Sequence, residues 1–219
     1  MSRHLTAVAA LVCLAGLLLA APAPSEATFT PVDLKTYTNV KLADTFHSGD
    51  FADNNLAKLP TGKQTFADVK FQVGEGLVQL GSAQVQGKPA KVEGIKVGRT
   101  LTKLHFLHAT GYTTDEETQI AKYVIHYDDK TTADVEVKFG EDVVDWWAYP
   151  GRAGPTKGKV AWESENEASK GFDAKIRLYL KTWENPKPDK KVVTIDFIAT
   201  QPEQTTAAPF CVAITAEDK

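Results

Sequence analysis

The segment GEDVVDWWAYPGR, residues 140–152, sets two adjacent tryptophans between acidic residues and a Pro-Gly turn. In an extended strand, successive side chains point to opposite faces, so Trp146 and Trp147 must separate. One row of side chains is apolar and predicts core: Val144, Trp146 and Ala148. The other row sets a carboxylate beside two aromatic rings and comprises Val143, Asp145, Trp147 and Tyr149.

The second row indicates carbohydrate recognition. An aromatic ring can cover the apolar face of a pyranose, and a carboxylate accepts hydrogen bonds from sugar hydroxyls. Asp145, Trp147 and Tyr149 are therefore candidate ligand contacts. The alternative is that both indoles are buried, one in each layer of the fold, and the segment by itself leaves this alternative open.

Three further residues extend the candidate ligand site. His108 closes an apolar run before the loop ATGYTTDEET, residues 109–118, which contains Tyr112, and Arg152 follows the Pro-Gly turn. Ligand-binding residues concentrate on loops that a rigid scaffold carries. We expect the aromatic rings to stack on a sugar, and Asp145, His108 and Arg152 to hydrogen-bond its hydroxyls.

Signatures of catalysis are missing from the sequence, which has no G-x-S-x-G, no P-loop, no G-x-G-x-x-G after a strand and no H-E-x-x-H. His105 and His108 are three residues apart on one strand, so they point to opposite faces and cannot share a metal ion. We therefore predict that the protein is not an enzyme. A carboxylate-dependent hydrolase is the less favoured alternative. Its candidate acids are Asp142, Asp145, Glu163 and Glu184.

The loop HSGDFADNN, residues 47–55, groups the oxygen ligands that Ca²⁺ prefers. Asp50 and Asp53 are the calcium candidates in this loop. Its spacing does not follow the EF-hand pattern, which favours a plain polar loop over a structural calcium site. We expect no other metal and no cofactor.

The N-terminus has the layout of a secretory signal peptide over residues 1–27. Two basic residues precede the apolar run Leu5–Ala21, and small residues lead to Ala27. We expect cleavage after Ala27, a single mature domain over residues 28–219, and a secreted or periplasmic location. A retained membrane anchor is the alternative, although the apolar run is shorter than the about 20 residues that span a bilayer.

The mature chain retains Cys211 alone and cannot form an internal disulfide, which favours a bacterial origin. A formal net charge of −3 argues against a nucleic-acid surface. No segment after the signal peptide is expected to span a membrane. Many short β-rich runs separated by Gly, Pro and Asp predict an all-β fold, an antiparallel β-sandwich of the jelly-roll type.

Alternation along these runs predicts which side chains form the core. The predicted core positions are Val135, Val137 and Phe139 in one run, Ile176, Leu178 and Leu180 in a second, and Val193, Ile195, Phe197 and Ala199 in a third. Tyr179 falls on the opposite, outward face of the second run. The runs 103–109 and 121–127 are apolar on both faces, so we expect them to be central strands.

Four segments carry a family pattern: VEGIKVGRTLTKLHFLHATGY, IAKYVIHYDDKTTADVEVKFGEDVVDWW, KIRLYLKTWENPKPDKKVVTIDFIA and APFCVAITAE. Over residues 65–217 the chain resembles the galactose-binding-domain-like β-sandwich of exported bacterial proteins. In such domains, aromatic-rich loops at one end of the sandwich often bind carbohydrate, while other members are spacers or protein-contact modules. The resemblance implies an exported, non-catalytic carbohydrate-binding module. A structural or protein-interaction module of the cell envelope is the alternative, with an envelope component as its partner.

Overall fold

A computed structural model describes residues 27–47 and 51–218. The predicted signal peptide, apart from Ala27, and the calcium candidate Asp50 lie outside the described residues. Within the described part of the chain, no helix is long and apolar enough to cross a membrane.

Strands make up about half of the described residues. They are β1 (Thr28–Val32), β2 (Val40–Lys41), β3 (Gly62–Phe66), β4 (Val69–Val73), β5 (Gly76–Gln79), β6 (Lys91–Arg99), β7 (Lys103–Gly111), β8 (Gln119–Tyr127), β9 (Thr132–Lys138), β10 (Trp147–Ala148), β11 (Lys159–Ser164), β12 (Lys175–Glu184), β13 (Val192–Ala199) and β14 (Ala208–Asp218). One short helix, α1 (Glu167–Lys170), precedes β12.

The strands form three antiparallel sheets. The largest has the order β10-β12-β7-β14-β5-β2, with β1 also paired to β14 and β11 also paired to β12. A second sheet has the order β6-β13-β8-β9, and β3 and β4 form a separate hairpin. The prediction of an all-β, antiparallel β-sandwich is confirmed.

The largest sheet lies between the other two. On one face, Phe106 of β7 stacks on Tyr123 of β8 at 4.0 Å between ring centroids, and Tyr123 stacks on Phe197 of β13 at 4.6 Å. On the other face, the Thr215 hydroxyl of β14 donates to the Lys70 carbonyl of β4 at 2.9 Å. Because both faces of this sheet are covered, β7 is buried along nearly its whole length, as its two apolar faces predict.

Strict alternation holds on β9, whereas on β13 the predicted core residues Ile195, Phe197 and Ala199 are buried but Val193 is not. Val135 and Val137 are buried as predicted. On β13, the predicted core residue Val193 is 39 % exposed, whereas Val192 is fully buried. The pairing with β8 explains this correction: from Val192 to Thr194, β13 advances two residues while β8 advances one, and the extra residue in β13 reverses the faces that precede it.

On β12, the three predicted core residues Ile176, Leu178 and Leu180 are buried. Tyr179, which alternation places on the outward face, is fully buried as well. Its register partner on β7 is His108, which faces the second sheet. The prediction of an outward Tyr179 is therefore wrong, because β12 is covered on both faces at this point.

Candidate functional site

Main-chain contacts hold the Asp145–Ala148 segment at the ends of β7 and β12. The Trp146 amide donates to the Thr110 carbonyl at 2.8 Å, and the Trp146 carbonyl accepts from the Arg177 amide at 2.8 Å. The Tyr179 hydroxyl donates to the Asp145 carbonyl at 3.1 Å. The position of this segment therefore depends on two strands that are distant from it in sequence.

Trp146 lies in the core, as predicted. Its indole is buried and stacks on Phe46 at 4.8 Å between ring centroids. The rings of Phe210 and His47 meet it edge-on at 6.0 and 5.5 Å. The Trp146 side chain thus packs one end of the largest sheet and is not available to a ligand.

Trp147 is buried too, with 8 % of its surface exposed. Its indole N–H donates to the Asn54 side-chain oxygen at 3.0 Å. The Asn166 side-chain amide donates to the same oxygen at 3.2 Å. Both indoles are therefore buried, which is the alternative that the sequence left open, because this hydrogen bond and the packing around it hold the Trp147 indole against neighbouring loops.

Three exposed aromatic rings surround Trp147, and the four residues together form what we call the aromatic patch. Phe172 lies 5.5 Å, Phe51 6.0 Å and Tyr149 6.1 Å from the Trp147 ring, between centroids. Phe51 and Phe172 also contact each other edge-on at 5.3 Å. Exposure reaches 38 % for Phe51, 41 % for Tyr149 and 46 % for Phe172.

Sequence reasoning missed two members of the aromatic patch, Phe51 and Phe172. Each is a single phenylalanine within a short polar, glycine-containing run, SGDFADNN or SKGFDAK. An aromatic residue in such a run has no strand neighbours to bury it. Its position in a polar run is therefore the sequence signal that could have predicted an exposed ring. Their meeting with Trp147 depends on tertiary contacts, because more than 90 residues of chain separate Phe51 from Trp147.

A buried network of polar side chains supports the aromatic patch from below. Asn166 caps α1 by accepting from the Ser169 amide at 2.7 Å, and its side-chain amide also reaches the Asn55 carbonyl at 3.0 Å. The Asn54 side-chain amide donates to the Phe46 carbonyl at 3.1 Å. Since buried polar groups are costly when unpaired, these contacts fix the loop and the helix that carry Phe51 and Phe172.

Asp145 lies mostly buried beside the aromatic patch. Burial raises the pKa of its carboxyl group to about 6, although the Trp147 amide, the Arg152 charge and two further amides favour the ionised form. The Trp147 amide donates to it at 3.2 Å. Tyr112 adopts a left-handed backbone with φ of 60°, and burial raises the pKa of its hydroxyl group, with the Asp145 charge acting in the same direction.

Arg152 is exposed and extends over the Tyr149 ring, with the guanidinium carbon 5.9 Å from the ring centroid. Among the described residues, no carboxylate lies within 4.0 Å of its guanidinium nitrogens. The structure therefore places Asp145, Trp147, Tyr149, Tyr112 and Arg152 near one another.

His108 does not join these residues. Its side chain faces the second sheet, where its Nδ1 lies 3.2 Å from the Tyr123 hydroxyl, and burial lowers its pKa to about 3. The sequence placed His108 at a strand end, but β7 continues to Gly111 and keeps His108 in the core. The expected contact between His108 and a surface ligand is corrected for this reason.

His47 is a neighbour of Tyr112 that the sequence did not identify. Its ring centroid is 6.1 Å from that of Tyr112, and its Nε2 lies 2.6 Å from the Gln79 side-chain oxygen. The Gln79 side-chain nitrogen faces three carbonyl oxygens at 2.8–3.3 Å and directs its two N–H groups towards them, so the side-chain oxygen faces His47 and accepts from Nε2–H. Burial lowers the pKa of His47 to about 4, which leaves the imidazole neutral at pH 7. His47 therefore supports the site as a packed, neutral ring.

The structure describes the surroundings of several acidic residues that the sequence proposed for a metal or hydrolase site. In residues 27–47 and 51–218, no three His, Cys, Asp or Glu side chains are placed to hold a metal ion, Asp53 included. Of the candidate acids, Asp142 is paired with Lys181 at 2.5 Å. Glu163 is paired with Arg177 at 2.6 Å.

The candidate site is an open surface. A cavity with a volume of about 970 Å³ lies beside β1, β2 and the turn before β5. A smaller cavity of about 540 Å³ is lined partly by His47 and Gln79. Neither cavity is lined by a residue of the aromatic patch.

Comparison with known proteins adds no family to this geometry. No protein-family model matches the chain, and no match is found among curated proteins. What the fold supports of the galactose-binding-like resemblance is therefore the antiparallel β-sandwich itself.

Proposed function

We propose that the protein is an exported, non-catalytic module that binds carbohydrate at the aromatic patch. The observation that carries this proposal is the grouping of three aromatic rings, each more than a third exposed, around the buried Trp147. Exposed apolar groups that cluster on a protein surface mark interaction sites more often than isolated ones do. The patch is also carried by loops on a rigid sandwich, where binding residues concentrate.

The proposed roles of the residues differ in part from those that the sequence suggested. Tyr149, Phe51 and Phe172 offer ring faces to the apolar faces of sugar rings. Trp147 supports them from below, held by its hydrogen bond to Asn54. Around the rings, the Tyr149 hydroxyl and the Arg152 guanidinium supply hydrogen bonds to sugar hydroxyls.

A polysaccharide pull-down combined with a glycan array tests this proposal. We expect Tyr149→Ala and Phe172→Ala to weaken glycan binding by about fivefold each, since an aromatic contact contributes on the order of 1 kcal/mol. Val160→Ala is the matched control, because Val160 is 43 % exposed on β11 and belongs to no aromatic cluster. Binding to no glycan, or equal losses in the control, would contradict the proposal.

A second candidate function is protein interaction in the cell envelope through the same aromatic patch. The ring orientations favour it, because adjacent rings are tilted by 43° to 89° and do not form one flat platform. Tilted rings suit the irregular apolar side chains of a protein partner. Here we expect a purified envelope protein, captured by the wild type, to be lost in Phe172→Ala while no glycan binds. Retention by the variant would remove this candidate.

A further inference from the structure

We propose that the carbohydrate bound at the aromatic patch is acidic, and that Arg152 holds its carboxylate or sulfate group. This inference rests on the proposed function and names the ligand class for the same surface. Uronate and sulfated sugars share the relevant chemistry, which is an oxyanion fixed to a sugar ring. The two sources are distinguished by the probes described below.

Arg152 lies at the aromatic patch. Its guanidinium lies over the exposed Tyr149 ring, a member of the aromatic patch. Stacking on an aromatic face leaves the N–H groups at the guanidinium edge free to donate. A sugar that covers the neighbouring rings would therefore bring an oxyanion substituent to these donors, and two parallel hydrogen bonds to it are the geometry that arginine favours.

Arg152 differs from the basic side chains near it in its ion pairing. Those of the α1 and β12 region are paired with carboxylates: Lys170 with Glu167, Lys175 with Glu165, and Arg177 with Glu163. Arg152 has no such partner within 4.0 Å among residues 27–47 and 51–218. Arg152 thus lies beside exposed aromatic rings with no salt-bridge partner in this part of the chain, and its donors are available for an anionic ligand.

Asp145 is the acidic residue nearest to Arg152 in sequence. Its carboxylate is turned towards the main chain, where the Trp147 amide donates to it at 3.2 Å. Asp145 is also mostly buried, whereas Arg152 is exposed. Arg152 acts on Asp145 through its charge, but it is the charged group that lies over the exposed Tyr149 ring, and a neutral glycan would leave its N–H donors unused.

Paired probes test the inference in titrations of the full mature protein. Oligogalacturonate is compared with its methyl ester, and a sulfated galactan with its desulfated form. We expect one acidic probe to bind at least about tenfold more tightly than its neutral counterpart, since a hydrogen bond to a charged group is stronger than one between neutral groups. In Arg152→Gln this preference should disappear while affinity for the neutral probe is kept, and Arg152→Lys should restore part of it.

Lys187→Gln is the matched control, because Lys187 also lies over a tyrosine ring, that of Tyr127 at 5.1 Å, outside the aromatic patch. This variant should keep the preference for the acidic probe. Equal affinity for acidic and neutral probes, with binding still lost in Phe172→Ala, would overturn the inference and leave the proposed function standing. Absence of binding to every probe, together with a negative glycan array, would overturn both.

Discussion

Single residues at the Trp-Trp segment owe their roles to burial. Trp146 and Trp147 point to different neighbours, yet both indoles are buried, one by stacking on Phe46 and the other by packing and a hydrogen bond to Asn54. Neighbouring residues, among them Phe172, provide the exposed aromatic surface instead. Asp145 keeps its place next to this surface, but burial changes its acid–base behaviour.

The pH dependence of stability tests the environment of Asp145. Its folded-state pKa is about 6, against an ordinary value of 3.8, so between these values the folded protein holds a proton that the unfolded chain has released. The free energy of unfolding should therefore fall as pH rises from about 4 to about 6, by on the order of 2–3 kcal/mol from this group. Denaturant titrations at several pH values measure it.

Asp145→Asn should remove this part of the pH dependence, because the amide does not titrate and still offers an oxygen to the Trp147 amide. The free energy of unfolding of the variant should therefore increase relative to that of the wild type as pH rises from 4 to 7. Identical pH profiles of the two proteins would show that the Asp145 carboxyl group titrates as it does in water.

At the scale of elements, interruptions of regular pairing decide which residues face the core. The register shift in β13 buries Val192 and exposes Val193, the reverse of simple alternation. In β12, cover on both faces buries Tyr179 beside the predicted core residues. The short helix α1 positions Phe172 because Asn166 caps it and links it to the loop that follows Phe51.

A pair of valine substitutions tests the register shift in β13. Val192→Thr should lower the free energy of unfolding by about 1–3 kcal/mol, since it buries a hydroxyl group in the core. Val193→Thr should change it by less than about 0.5 kcal/mol, because that side chain faces solvent. Thermal or denaturant unfolding compares the two. A larger loss of unfolding free energy in Val193→Thr than in Val192→Thr would mean that side chains alternate along β13 without interruption.

For the whole molecule, the central position of the largest sheet is the main organising feature. Sheet β6-β13-β8-β9 covers one face, and the β3–β4 hairpin covers part of the other. This arrangement explains why β7 is apolar on both faces. The N-terminal strand β1 pairs with the C-terminal strand β14, from Thr28 opposite Asp218 to Val32 opposite Ile214.

N-terminal sequencing of protein recovered outside the cytoplasm tests the predicted export. We expect the mature chain to begin at Thr28, because the apolar run and the small residues before Ala27 have the signal-peptide layout. Cleavage there leaves β1 complete, since β1 begins at Thr28. Recovery of the uncleaved chain in the membrane fraction would favour the retained anchor instead.

The sequence by itself determined the fold class, the central position of β7 and the core role of Trp146. These follow from local rules of alternation and turn chemistry, which act between residues close in the chain. It also grouped Asp145, Tyr149 and Arg152, because they share one short segment.

Only the tertiary structure decided that Trp147 is covered, that His108 is internal, and that Phe51 and Phe172 complete an exposed aromatic patch. Burial depends on which distant segment covers a side chain. The hydrogen bond from Trp147 to Asn54 joins residues 93 positions apart. Alternation can assign a side chain to a face, but it cannot say what lies over that face.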